Sequence, residues 1–195
     1  MTSESTSRHR EAASRAESSR SVACAVVTVS DTRTPADDTG GDAIARLLKE
    51  AGHSVSRRTI VRDEPDRIRA AIRSALDDPK IQAVLTTGGT GIAGRDTTIE
   101  VVRSLLATEL PGFGELFRVL SWEQVGAAAM LSRAVAGLAS SAANRSGVFI
   151  FAMPGSPNAV NLAMSKLIVP ELSHLVWERE RGPVEAPRPG PTNPA

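Results

Sequence analysis

Three acidic residues and one glycine-rich stretch are where this chain could do chemistry. Asp31, Asp63 and Asp96 each fall at or just beyond the end of a predicted strand. Thr86-Thr87-Gly88-Gly89-Thr90-Gly91 follows another apolar run, and Gly94 completes a set of four glycines between residues 88 and 94. Side-chain-poor residues expose backbone N–H groups, which cradle an anion, and Thr86, Thr87 and Thr90 add hydroxyl donors. A tight turn alone needs fewer glycines. Two carboxylates about 4 Å apart repel by about 4 kcal/mol at an effective dielectric of 20, so they converge around a cation or a shared proton. A phosphate cradle beside paired carboxylates suggests Mg²⁺ bridging phosphate oxygens to the protein.

Each acid has a plainer alternative. Asp63 could cap the helix predicted after it, a contribution of about 1 kcal/mol. Asp31 could form a turn. Asp96 stands just before a predicted cap at Thr97 and has less structural reason to be there. Glu115, in Pro111-Gly112-Phe113-Gly114-Glu115, reads as a solvated acid in a stiff, small-residue loop. Gly89, Gly91 and Gly94 match G-x-G-x-x-G, but Arg95 and Asp96 follow before a separate helix start, which disfavours a nicotinamide site. Such a site also needs a ribose-binding acid, and Glu109 is an unconvincing candidate. The P-loop spacing fails because Arg95 and Asp96 stand where Lys and Ser/Thr belong. His9, His53 and His174 show no ligand spacing, which argues against zinc. No G-x-S-x-G elbow is present.

The elements that would position these residues alternate. Val22 to Val29 is a nearly continuous apolar run, as expected of a strand covered on both faces. Thr39-Gly40-Gly41-Asp42 resembles a capping box, and Ile44, Leu47, Leu48 and Ala51 form one helical stripe ending at Gly52. Ser54 to Val61 reads as a more polar strand. Asp63-Glu64-Pro65-Asp66 opens a second helix, and Ile81 to Thr86 is a short buried strand. Thr97 and Glu100 suggest another capping box, starting a helix through Leu106. Residues 116–130 are expected to be partly helical, and 133–139 are ambiguous between strand and helix. Gly147 to Ala152 is a strand, followed by Pro154-Gly155-Ser156-Pro157 and a helix to about Glu178. This alternation predicts a three-layer α/β/α domain with a mainly parallel central sheet. Ligands bind such sheets outside the carboxyl ends of the strands.

The chain has 195 residues, with 23 basic and 22 acidic side chains. That balance carries no electrostatic footprint for nucleic acid or an anionic membrane. Aromatics are 3% and Tyr is absent, so the core must be aliphatic. Cys24 is the only cysteine and reads as a small buried hydrophobe, which fits a reducing compartment. Residues 1–20 contain no apolar stretch, which predicts a cytoplasmic protein. One domain is expected over residues 21–181, between disordered tails at 1–20 and at the Pro- and Gly-rich 182–195.

The motifs together resemble the MogA/MoaB group of molybdenum-cofactor biosynthesis proteins, related to the G domain of gephyrin. The resemblance spans about residues 22–178. It rests on Val29-Ser30-Asp31, the Thr86–Gly91 stretch, Arg95-Asp96, Pro111–Glu115, Leu131-Ser132-Arg133 and Pro154-Gly155-Ser156-Pro157. It implies a molybdopterin-binding fold, a homotrimer or hexamer, and adenylylation of molybdopterin by Mg²⁺-ATP with release of pyrophosphate. It implies that Asp63 and Asp96 are catalytic and hold Mg²⁺. The pterin and nucleotide pockets would then be lined by Ser30, Asp31, Thr86, Thr87, Gly88, Gly89, Thr90, Gly91, Glu115, Ser132, Pro154, Gly155 and Ser156. Asn158 stands where many relatives carry Lys. Some MoaB-type members bind the pterin without adenylylating it, so a non-catalytic carrier or scaffold is the alternative.

Overall fold

The computed structural model describes residues 20–144 and 146–181. The tails expected at 1–20 and 182–195 lie outside the described residues, except Arg20, whose guanidinium pairs with Glu180 at 2.7 Å. The first half of the chain runs β1 (Ala23–Val29), α1 (Thr39–Glu50), β2 (Ser54–Val61), α2 (Pro65–Leu76) and β3 (Ala83–Thr87). It continues through α3 (Thr98–Leu105), β4 (Leu106–Glu109) and α4 (Pro111–Val125), then a 3₁₀ turn over Gly126–Leu131. β5 (Val135–Ala139), β6 (Val148–Met153), α5 (Pro157–Ala163), a π segment (Met164–Ile168) and α6 (Val169–Arg181) complete it.

The six strands form one sheet in the order β2-β1-β3-β6-β5-β4. β2, β1, β3 and β6 are mutually parallel, whereas β5 runs antiparallel to both β6 and β4. Alternation along β1 explains its unbroken apolar run. Cys24 and Val26 join a core with Ile44, Leu48, Phe117 and Met164, while Ala25, Val27 and Val29 join one with Ile68, Ile72, Ile99 and Val102. The sheet is therefore buried on both faces, giving the expected three layers. Each such Leu or Ile contributes about 1.5–3 kcal/mol of burial.

The order β2-β1-β3 has a direct consequence for the site. From β1 the chain crosses to one side through α1, then returns past β1 to the other side through α2. Right-handed crossovers require α1 and α2 to cover opposite faces, as their separate cores show. The switch in winding direction falls between β1 and β3. In sheets of this kind ligands bind beside such a switch point, outside the carboxyl ends of the strands.

Several local expectations are corrected. Asp38, not Thr39, caps α1: its carboxylate accepts from Gly41 N at 2.9 Å and from Thr28 Oγ1 at 2.9 Å. The helix from Thr98 stops at Leu105, and Leu106–Glu109 forms the short edge strand β4. Pro111–Glu115 is the first turn of α4, since Pro111 suits a position whose N–H needs no helical partner. Residues 135–139 resolve as strand because both neighbours in the sheet supply ladders.

Candidate functional site

The site gathers at the carboxyl ends of β1, β3 and β6. Gly88 is the pivot. It adopts φ +95°, its N–H donates to Met153 O at 3.2 Å, and an added Cβ would lie 2.2 Å from Val29 O. Only glycine fits between the last carbonyls of β1 and β6. Gly155 closes the same gap from the β6 loop, where a Cβ would lie 3.1 Å from Gly88 Cα. Thr87 Oγ1 donates to Pro154 O at 3.1 Å, tying the two loops together.

The three aspartates converge on this loop. Asp31 Oδ1 accepts from the backbone N–H of Asp63 at 3.2 Å. Asp63 Oδ1 accepts from both the N–H and the hydroxyl of Thr97, each at 3.3 Å. Asp63 therefore does not cap α2, whose cap residue Glu64 makes no side-chain cap bond. Thr97 likewise makes no cap bond to α3. Asp96 Oδ2 accepts from Ala93 N at 3.0 Å, which curls the loop back on itself. A Cβ on Gly89 would lie 2.5 Å from Asp63 Oδ2, and one on Gly91 would lie 2.5 Å from Asp96 Oδ2. Both carboxylates thus press on one glycine loop. Burial raises the Asp63 carboxyl above its ordinary value, and the negative charges of Asp96 and Asp31 add to the rise against the two Thr97 donors.

Arg133 holds this loop from below, and the sequence reading gave it no role. Its Nε donates to Thr90 O at 2.9 Å and its Nη2 to Asp96 O at 3.1 Å and to Gly91 O. Its Nη1 pairs with Glu100. In a trans peptide the N–H points opposite the C=O, so clamping these carbonyls turns the N–H groups of Gly91 and Ile92 away from the guanidinium, while that of Thr97 goes to Asp63. The available signal was its position directly after Ser132 in a motif already singled out. Glu100, expected in a capping box, instead anchors this arginine.

The other candidates divide. Thr86, Thr87 and Thr90 are buried around the loop, and Thr86 Oγ1 and Thr98 Oγ1 are buried without a protein partner. Ser30 Oγ accepts from Thr32 N and Arg33 N at 3.3 and 3.2 Å, so it shapes the β1 loop. Ser156 caps α5, accepting from Ala159 N at 3.3 Å. Ser132 lies at the end of the 3₁₀ turn, beside Arg133. Glu115 is exposed on α4 and pairs with none of these groups.

Among the described residues, no group of three or more His, Cys, Asp and Glu side chains is arranged as a closed metal cage. The donor set fits a hard cation of another kind. Mg²⁺ takes one or two carboxylates, keeps several waters and fills its shell with substrate phosphates. Asp63 and Asp96, each against one glycine of the same loop, are carboxylates of the type such an ion would use.

Fold and site together define an α/β protein whose glycine loop and three aspartates gather at the switch point of its sheet. Residues 25–174 match the family described as "Probable molybdopterin binding domain", and the chain belongs to it. It is 49% identical over 158 residues to molybdenum cofactor biosynthesis protein B of Bacillus subtilis (strain 168), covering 80% of this chain and 89% of that one. A crystal structure of a molybdenum cofactor biosynthesis protein B superposes with TM-score 0.79 at 47% identity, covering 84% of this chain and 99% of the other. The tungsten cofactor synthesizing protein MoaB from Pyrococcus furiosus superposes with TM-score 0.70 at 34% identity, covering 83% and 99%.

Proposed function

We propose that this protein acts in molybdenum cofactor biosynthesis, adenylylating molybdopterin with Mg²⁺-ATP and releasing pyrophosphate. The observation that carries the reading is the convergence of Asp63 and Asp96 on one glycine loop, with Asp63 held above its ordinary carboxylate value. The negative charge of Asp96 adds to the rise at Asp63, and a bound cation would relieve that repulsion.

In this reading the loop amides and threonine hydroxyls bind phosphate oxygens, and Arg133 keeps those amides turned away from its guanidinium. Asp63 and Asp96 would hold Mg²⁺, which would supply positive charge to offset that building on the α-phosphate. An oxygen of the molybdopterin phosphate forms a bond to the α-phosphorus. The bond from that phosphorus to the α,β-bridging oxygen breaks, and its electron pair leaves with pyrophosphate. The protein's part is positioning and charge complementarity rather than covalent catalysis.

A homotrimeric or hexameric assembly accompanies this reading. The exposed apolar residues Val119, Trp122 and Val125 of α4, with Met130 and Leu131 beyond it, support self-association. Among the described residues no helix is long and apolar enough to cross a membrane. A cytoplasmic location accompanies the proposed reading and rests on the sequence.

The carrier reading shares every binding feature but releases no pyrophosphate. An assay of purified protein with molybdopterin, ATP and Mg²⁺ separates the two. Pyrophosphate formed in step with adenylyl-molybdopterin is the expected result. Tight pterin binding without pyrophosphate would leave only the carrier.

A further inference from the structure

A concavity opens from the Asp31 side of the aspartate cluster and shares Ser30 and Asp31 with the candidate site. It has a volume of about 600 Å³ and lies between the β1–α1 loop and the end of β2. Arg33, Arg58 and Arg62 line it, with Pro35 and Ile60 supplying apolar wall. None of the three arginines belongs to the candidate site described above.

The three guanidiniums are not equivalent. Arg58 is spent on the protein, at 3.1 Å from Asp38 Oδ2 and 2.7 Å from Asp42 Oδ1. It fixes the floor, because the Asp38 carboxylate it neutralises is also held by Thr28 and Gly41. Arg33 uses only Nη1, donating to Asp37 O at 2.6 Å and Thr39 Oγ1 at 2.9 Å. Among the described residues its Nε and Nη2 have no protein acceptor. Arg62 is 66% exposed, and its Nε lies 3.7 Å from Asp31 Oδ1 and 3.5 Å from Glu64 Oε1. Both distances exceed those of made N–H···O bonds. Two arginines at one cleft therefore retain fork-shaped donors, the geometry that recognises phosphate bidentately.

The space is too large for one phosphate and is walled by two separated donors. A chain of linked phosphates matches both properties. We propose that this arginine cleft is the subsite for the pyrophosphoryl part of the nucleotide, bound through Arg33 and Arg62. It rests on the adenylyl-transfer reading, which requires a pyrophosphoryl group to depart beside Asp31 and Asp63. Asp31 links the two compartments, since its carboxylate faces Arg62 and accepts from the Asp63 N–H. The α-phosphate then lies at the glycine loop and the leaving group in the cleft.

Titration calorimetry of the full chain with inorganic pyrophosphate, ATP and AMP, each with Mg²⁺, tests the assignment. Wild-type protein is compared with Arg62→Gln and Arg33→Gln, each checked for an unchanged melting temperature. Among the described residues the Arg62 side chain makes only the long ion pairs to Asp31 and Glu64, so its variant folds without loss of a native hydrogen bond. Loss of one charge-assisted fork is expected to weaken pyrophosphate and ATP by about tenfold and to leave AMP unchanged. Pyrophosphate that does not bind, or that binds Arg62→Gln as tightly as wild type, overturns the subsite. So does an equal loss for AMP, because the arginine would then serve the part of the nucleotide that is retained. The two readings fail separately. Arg62-dependent pyrophosphate binding without molybdopterin adenylylation sinks the reaction alone, whereas adenylylation with Arg62-independent pyrophosphate binding sinks the subsite alone.

Discussion

Asp63 accepts two hydrogen bonds from Thr97, a residue 34 positions away, rather than capping the helix it precedes. The carboxylate is thereby fixed against the glycine loop, where burial and then the charges of Asp96 and Asp31 raise its pKa. A carboxyl whose folded pKa is raised destabilises the fold as pH climbs from the ordinary 3.8 through the raised value, and the loss persists at neutral pH. Asp63→Asn, which still accepts from Thr97, is expected to raise the melting temperature of the metal-free protein at pH 7. Mg²⁺ is expected to raise it for wild type and not for the variant. Thermal melts with and without Mg²⁺ check this, and a variant less stable than wild type would contradict it.

Arg133 acts on the site through the loop it clamps. Arg133→Met removes donors from the carbonyls of Thr90, Gly91 and Asp96. A loop displaced by about 1 Å costs about 10²-fold in rate. The expected pattern is a fall in kcat with a smaller change in KM for ATP. Steady-state kinetics of pyrophosphate release check it, and a change confined to KM would assign Arg133 to ground-state binding.

Gly89 has φ +61°, and a Cβ there would meet Thr98 Oγ1 at 2.4 Å and Asp63 Oδ2 at 2.5 Å. Gly89→Ala combines backbone strain with displacement of the carboxylate. It is expected to cost about 1–3 kcal/mol of stability and to abolish the Mg²⁺ response together. Gly94→Ala is the control, because nothing lies within 4 Å of a Cβ there. Chemical denaturation of both variants checks the contrast.

His53 is buried at the opposite end of the sheet, where its Nδ1 accepts from the N–H of Val22 at 3.3 Å. Burial lowers its pKa below 6.5. A histidine depressed in the fold supports stability above the unfolded value, and that support is lost as pH falls through the folded one. Wild-type stability is expected to drop by about 1 kcal/mol, the worth of one hydrogen bond, as pH falls below 6.5. The part of the slope due to His53 should vanish in His53→Gln. Urea unfolding across that range measures it.

The buried strands were legible because their composition admits no other placement: β1, β3 and β6 are apolar along their length and end in Ser30, Gly88 and Pro154. The aspartates were legible as strand-end residues, and the fold brings them together. What escaped depends on tertiary partners. β4 holds only Leu106-Ala107-Thr108-Glu109, which reads as a frayed helix end until β5 offers a ladder. Pro111–Glu115 looks like a loop because glycine weakens a helix, yet Phe113 and Phe117 bury one face of α4. Thr97 and Glu100 fit a cap pattern locally, but Asp63 and Arg133 compete for them and win. Arg133 itself had no local signature, since its three acceptors lie about 40 residues away in sequence.

The proposed chemistry requires Asp63 and Asp96 to share one cation with bound nucleotide. Titration of Mn²⁺, as a paramagnetic substitute for Mg²⁺, followed by electron paramagnetic resonance in the presence of ATP, reads this directly. Wild-type protein is predicted to bind Mn²⁺ as a ternary complex. Asp63→Asn and Asp96→Asn should each weaken it by more than the roughly 10–100-fold that even supporting partners of a metal ligand cost. If either variant binds Mn²⁺ and ATP as wild type does, the two carboxylates do not share a metal and the proposed chemistry fails.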